Sequence, residues 1–162
     1  DGRVVFSSRS TGLPAEGENQ ALRVVDLDTG EWEELPGTGG YAGLKSSPDG
    51  RLLVAHEWDF SEPVHLFDWE THEWRDLELA GGWLLWSADG RSVYSSGAKG
   101  ERPHAAGSYF RLDLDTGEIE RVAEASNLAD MTFYVSVDPD GRFIGQRALT
   151  TVDLHAWDVV LP

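Results

Sequence analysis

The chain has 162 residues, no cysteine, 18 glycines and 29 acidic side chains against 13 basic ones, for a formal net charge of −16. Such a polyanion lacks the Lys and Arg whose counterion release drives binding to duplex DNA or anionic lipid, which excludes nucleic acid as a partner of this segment. The absence of Cys excludes a disulfide framework, a thiolate nucleophile and a Cys-ligated zinc, and no run approaches the roughly 18 apolar residues that cross a bilayer.

Short apolar runs bounded by turn chemistry succeed one another along the chain. Residues 4–6, 22–25 and 32–35 read as three strands, the last alternating apolar and polar like a half-exposed outer strand. Residues 43–47 form the next strand and lead into Ser47-Pro48-Asp49-Gly50, where Pro48 presets φ and Gly50 accepts a positive one, as a hairpin turn requires. Strands 52–55, 64–67 and 74–77 come next, then 93–94, 109–112 and 119–122, then 133–137, 142–147 and 152–160. No segment of ten or more residues carries a helical period, and residues 123–129 amount to at most one helical turn.

Two signatures recur among these strands. Asp-Gly-Arg stands at 1–3, 49–51, 89–91 and 140–142, with glycine spacings of 48, 40 and 51. Asp26-Leu27-Asp28-Thr29-Gly30-Glu31-Trp32 is repeated as Asp68-Trp69-Glu70-Thr71-His72-Glu73-Trp74 and Asp113-Leu114-Asp115-Thr116-Gly117-Glu118-Ile119, and survives as Trp157-Asp158. A period of about 40–50 residues with four antiparallel strands per repeat predicts all-β propeller blades. Four repeats are expected, at about 1–41, 42–82, 83–132 and 133–162, the first lacking its innermost strand and the last its outermost. That count describes a propeller fragment or a small propeller.

Ser47-Pro48-Asp49-Gly50-Arg51, Leu66-Phe67-Asp68 and Asp113-Leu114-Asp115-Thr116-Gly117-Glu118 resemble the TolB-type, WD40-like propeller family over essentially the whole chain. The finish, Trp157-Asp158-Val159-Val160-Leu161-Pro162, resembles the end of propeller modules carried by bacterial winged-helix regulators of the CadC/ToxR kind or by serine/threonine kinases, and reads as a natural stop. The resemblance implies the carboxyl-terminal part of a larger bacterial protein, with a periplasmic or other extracytoplasmic location favoured. Too few repeats for a six-bladed ring and no amino-terminal domain in this stretch keep TolB's own cell-envelope role from being implied.

The alternate carboxylates Asp26/Asp28 and Asp113/Asp115 invite a calcium reading, but a further oxygen ligand and a bidentate Glu near position 12 are missing, so they are expected to cap turns. Five histidines include no His-x-x-x-His pair, and His65 and His155, inside strands, are expected to be packed or hydrogen-bonded. No Gly-x-Ser-x-Gly elbow or phosphate loop occurs. No catalytic residue, metal or cofactor is therefore expected. Trp32, Trp74, Trp83 and Trp86 are expected to pack blade on blade.

Function is left to the long connections, which share one rim: residues 8–20, 57–63 and 97–107, with 37–41 and 125–132 between blades. Arg9, Tyr41, Glu57, Trp58, Asp59, Arg102 and His104 are the expected contacts for a protein partner or small ligand, and the acidic body favours cationic partners. The expected role is a non-catalytic interaction or sensor scaffold. The alternative is the gating propeller of a prolyl-oligopeptidase-like serine hydrolase whose catalytic domain lies elsewhere. Open edges at both ends predict pairing with a second copy or completion by further blades.

Overall fold

The computed structural model describes residues 2–7, 21–57, 63–96, 108–124, 131–138, 140, 142–148 and 152–157. Among these the secondary structure is entirely β. The strands are β1 (Arg3–Ser7), β2 (Leu22–Asp26), β3 (Trp32–Glu34), β4 (Tyr41–Ser46), β5 (Leu52–Glu57), β6 (Pro63–Asp68), β7 (Glu73–Ala80), β8 (Leu85–Trp86), β9 (Ser92–Ser95), β10 (Ser108–Asp113), β11 (Ile119–Glu124), β12 (Met131–Val137), β13 (Phe143–Ala148) and β14 (Val152–Trp157). They form four antiparallel meanders, β1-β2-β3, β4-β5-β6-β7, β8-β9-β10-β11 and β12-β13-β14, which are blades 1 to 4 of a partial β-propeller. Blade 1 lacks an inner strand before β1, and blade 4 lacks an outer strand after β14, among the described residues.

Successive side chains on a strand point to opposite faces, and a blade wedged between two others must be apolar on both. The core obeys this in three layers. Between blades 1 and 2 lie Leu22, Val24, Leu35, Tyr41, Leu53, Ala55 and Phe67. Between blades 2 and 3 lie Val54, Val64, Leu66, Leu77, Leu79, Leu84, Val93, Phe110 and Leu112. Tyr94, Tyr109 and Val122, with Leu85 and Val137 against them, separate blades 3 and 4. Neighbours in sequence such as Leu53 and Val54, Val93 and Tyr94, or Tyr109 and Phe110 thus serve different layers, which explains unbroken apolar runs where a half-exposed sheet would alternate.

Polar contacts also tie the blades. The Trp86 indole donates to the Lys45 carbonyl at 3.0 Å, and the Arg3 guanidinium lies 4.9 Å over the Trp69 ring. Trp74 packs within the first layer. Two of the expected blade-to-blade tryptophans behave otherwise: Trp32 is 60% exposed and Trp83 39%.

The first Asp-Gly-Arg repeats in sequence but not in register. In blades 2 and 3, Leu52 faces Asp68 and Ser92 faces Asp113, two residues after the glycine. In blade 1 it is Arg3, one residue after Gly2, that faces Asp26. The Gly2 carbonyl accordingly accepts from Leu27 N–H, the bond that the Arg51 and Arg91 carbonyls make with Trp69 and Leu114. A one-residue slip exchanges the two faces of a strand. Val5 therefore packs into the first layer, and Val4 and Phe6 face away from blade 2.

The crossing from blade 1 to blade 2 is pinned by Thr38, which is 1% exposed. Its hydroxyl donates to the Leu35 carbonyl at 2.6 Å and accepts from Leu22 N–H at 2.9 Å. Thr38→Val keeps the shape and leaves both backbone groups buried without that partner; urea unfolding is expected to show a loss of about 1–3 kcal/mol.

Candidate functional site

Each blade has two ends, and the described residues give them different chemistry. At one end the turn from first to second strand lies beside the turn from third to fourth. In blade 2 the Ser47 hydroxyl donates to Asp49 at 2.6 Å, Arg51 N–H donates to the same carboxylate oxygen at 3.0 Å, and Gly50 takes φ of 73°. Ser87, Asp89, Arg91 and Gly90 repeat the arrangement in blade 3. The neighbouring turns are capped by Asp26 and Asp113, each of which accepts from two backbone N–H groups. Arg51 then joins the two turns of blade 2 through Asp68 at 2.9 Å and Glu70 at 3.2 Å, and Arg91 joins those of blade 3 through Asp115.

The Asp-x-Asp pieces are therefore turn caps. Hydrogen bonds from Thr29 and Asp28 N–H hold Asp26 below its ordinary carboxylate value, those from Thr116 and Asp115 do the same for Asp113, and the Ser47 hydroxyl leads the lowering of Asp49. Among the described residues, no three His, Asp or Glu side chains are grouped so as to hold a metal.

This turn rim carries a crevice of about 310 Å³ between blades 2 and 3. Leu52, Leu66 and Leu114 floor it, and Arg51, Asp68, Glu73, Arg75 and Asp115 surround it. The sequence pointed to the opposite rim, so the crevice is a feature it did not disclose: its walls come from turns of two blades that meet only in the folded array.

Of the residues expected on the opposite rim, Arg9, Trp58, Asp59, Arg102 and His104 lie outside the described residues. Glu57 ends β5, partly exposed, directly across from Tyr41. Tyr41 opens strand β4 instead of lying in the connection before it, and only 8% of it is exposed. Its ring stacks on His65 at 4.7 Å and meets Trp74 edge-on at 5.2 Å. What Tyr41 offers this rim is support from beneath, because its ring belongs to the first layer. Position 43 of β4 is glycine because a Cβ there would stand 1.9 Å from Nε2 of buried His56.

Beneath Tyr41, His65 Nδ1 bonds to Asp76 Oδ1 at 2.8 Å across the β6–β7 register. The pair resembles the oriented imidazole of a general base, but His65 Nε2 is buried without a hydrogen-bond partner among the described residues. The His65 side chain is 11% exposed beneath Tyr41, and that of Asp76 is open to solvent. Sequence separation hid this cluster, whose members come from β4, β6 and β7.

No protein-family model and no curated protein matches the chain. Solved structures do. TolB from Acinetobacter baumannii superposes with a TM-score of 0.61 at 18% identity, over 87% of this chain and 36% of that one. Oligogalacturonate lyase in complex with manganese gives 0.60 at 16%, over 90% and 42%. Pyrococcus horikoshii acylaminoacyl peptidase gives 0.60 at 12%, over 96% and 29%. The chain spans less than half the length of each of these structures, and the likeness is one of fold, the β-propeller. None of the three is a winged-helix regulator or a kinase, so the finer resemblance at the carboxyl terminus gains no support from them.

The turn rim and the Tyr41 cluster each make a testable demand on stability. His72 holds φ of 60° at the turn position where Gly30 and Gly117 hold 74°. A β-carbon there is strained, so His72→Gly is expected to raise stability by about 0.5–1 kcal/mol in denaturant unfolding. The Tyr41 hydroxyl is pushed up to about 12 from 10.0, first by burial and then by Glu57 and Asp76. A group protonated more tightly when folded stabilises fully below its unfolded value, and that contribution is lost as pH rises from 10 towards 12. Urea midpoints measured over this range should fall more for the wild type than for Tyr41→Phe, and absorbance at the phenolate band should show one late-titrating tyrosine missing in the variant.

Proposed function

We propose that this propeller unit is a non-catalytic scaffold of a larger extracytoplasmic bacterial protein, and that it presents its long-connection rim to a protein partner or small ligand. The reading rests chiefly on how the carboxylates are used. Asp26, Asp49, Asp68, Asp89, Asp113 and Asp138 all accept turn hydrogen bonds and are all held below the ordinary carboxylate range. A general acid at neutral pH needs the opposite shift. Rigid turns on one rim leave the other, with Glu57, Trp58, Asp59, Arg9, Arg102 and His104, as the face for recognition. A charge of −16 steers cationic partners toward it and makes the encounter salt-dependent.

A second reading, the gating propeller of a serine peptidase, draws on the acylaminoacyl peptidase likeness, which takes in 96% of this chain. It requires an α/β segment with Gly-x-Ser-x-Gly in the parent gene, which the scaffold reading does not.

The scaffold reading is tested by affinity capture on the immobilised chain at low salt, followed by titration of the captured partner. Trp58→Ala and Arg102→Ala are each expected to weaken binding about tenfold, as truncation of an aromatic or arginine anchor does. Unchanged binding in both variants would remove this rim from consideration.

A further inference from the structure

The crevice between blades 2 and 3 has an apolar floor and two charges that the fold does not use. Strand pairing sets Leu52, Asp68 and Glu73 in one row and Leu66 with Arg75 in the next, all on the side of blade 2 that meets blade 3. Leu114 and Asp115 of blade 3 close the other side. Asp68 is bonded to Arg51 at 2.9 Å and Asp115 to Arg91, so these carboxylates are already answered. Glu73 and Arg75 are not: among the described residues neither side chain makes an ion pair or a hydrogen bond.

Comparison of the blades shows that this arrangement belongs to blade 2. Counting from the signature aspartate, Glu73 and Arg75 correspond to Glu31 and Glu33 in blade 1 and to Glu118 and Glu120 in blade 3. Glu120 is held across the β10–β11 register by Arg111 at 2.7 Å. In blade 2 the place of Arg111 is taken by Leu66, which faces Arg75. Blade 2 thus exchanges an ion pair for an apolar floor beside a guanidinium with no partner in the fold. Glu73 and Arg75 stand two residues apart on one face of β7, about 7 Å along the strand, so the ends of both side chains can reach one small molecule.

We propose that this crevice binds an α-amino acid with an apolar side chain, its carboxylate on the Arg75 guanidinium, its ammonium on the Glu73 carboxylate and its side chain over Leu52, Leu66 and Leu114. An unpaired acid and an unpaired base at one mouth complement a zwitterion, and guanidinium and carboxylate can meet through two parallel hydrogen bonds. A body of charge −16 repels a simple anion, whereas a zwitterion brings no net charge to it. The crevice volume of about 310 Å³ lies at the small end of ligand pockets, roughly 300–1,000 Å³, which suits a single amino acid. The site lies on the turn rim and does not rest on the role proposed for the long-connection rim.

Amide NMR of the full chain, titrated with L-leucine, tests it. Shifts centred on the amides around Leu66, Arg75 and Leu114, saturating with a Kd of about 1 mM, are expected for so small a ligand. Glycine lacks the side chain, 4-methylpentanoate the ammonium and 3-methylbutylamine the carboxylate, and each should bind about tenfold more weakly or worse. Arg75→Glu installs the residue that blades 1 and 3 carry, so the amide spectrum away from the crevice should stay wild-type while the leucine shifts vanish. Glu73→Gln should reduce leucine to the affinity of 4-methylpentanoate. No shift at about 20 mM leucine, far above the expected Kd, would overturn the proposal. So would shifts elsewhere on the chain only, equal binding of 4-methylpentanoate, or undiminished binding by Arg75→Glu.

Discussion

The constraint on which this molecule depends is that the two central strands of each middle blade have no solvent side. In β5, Leu53 belongs to one apolar layer and Val54 to the next, and in β9 the same holds for Val93 and Tyr94. A pleated strand can satisfy two layers only if every residue in its buried stretch is apolar or hydrogen-bonded, and only if its register is held to the residue. The burial of Leu53, Val54, Ala55 and His56 in succession is the outcome. Blades cohere through their neighbours, so the energy of the fold resides between sheets more than within them.

Register, in turn, is held by the turns. In blades 2 and 3, Asp49 and Asp89 accept from the Ser47 and Ser87 hydroxyls and from the Arg51 and Arg91 N–H groups, closing the Asp-Gly-Arg turn, and Asp26, Asp68 and Asp113 cap the adjacent hairpins. Much of the negative charge is thereby placed at strand ends, where Arg51, Arg91 and Arg142 answer part of it. These pairs are exposed and individually weak. Their effect is to fix which residue turns the corner, and blade 1 displays the consequence of changing that residue: the slip of one place at Gly2 sends Val4 and Phe6 outward.

Most of this order could be read in the sequence because turn chemistry is local. Pro48-Asp49-Gly50 and Asp-x-Asp-Thr-Gly mark corners through nearby φ angles and side-chain bonds, and the strands between them are then fixed by length. Features that depended on distant pairing were hidden. The repeat of Asp-Gly-Arg at residues 1–3 implied a register that the partner strand does not keep. Tyr41 sat next to glycines and read as a loop residue, though His65 and Trp74, far along the chain, draw its ring into the core. The crevice at the turn rim likewise joins Asp68 and Arg75 of one blade to Leu114 and Asp115 of the next. Of the expected contact residues, Tyr41 and Glu57 fall within the described structure, and the remainder belong to connections whose lengths, more than their patterns, singled them out.

Native-state hydrogen exchange tests the layered organisation most directly. If cohesion lies between blades, amides of β5, β6, β9 and β10, whose sheets are covered on both faces, should exchange slowest, with protection falling toward β1 and β14 at the ends of the array. Equal protection across all four sheets, or the slowest exchange in blade 1, would contradict it.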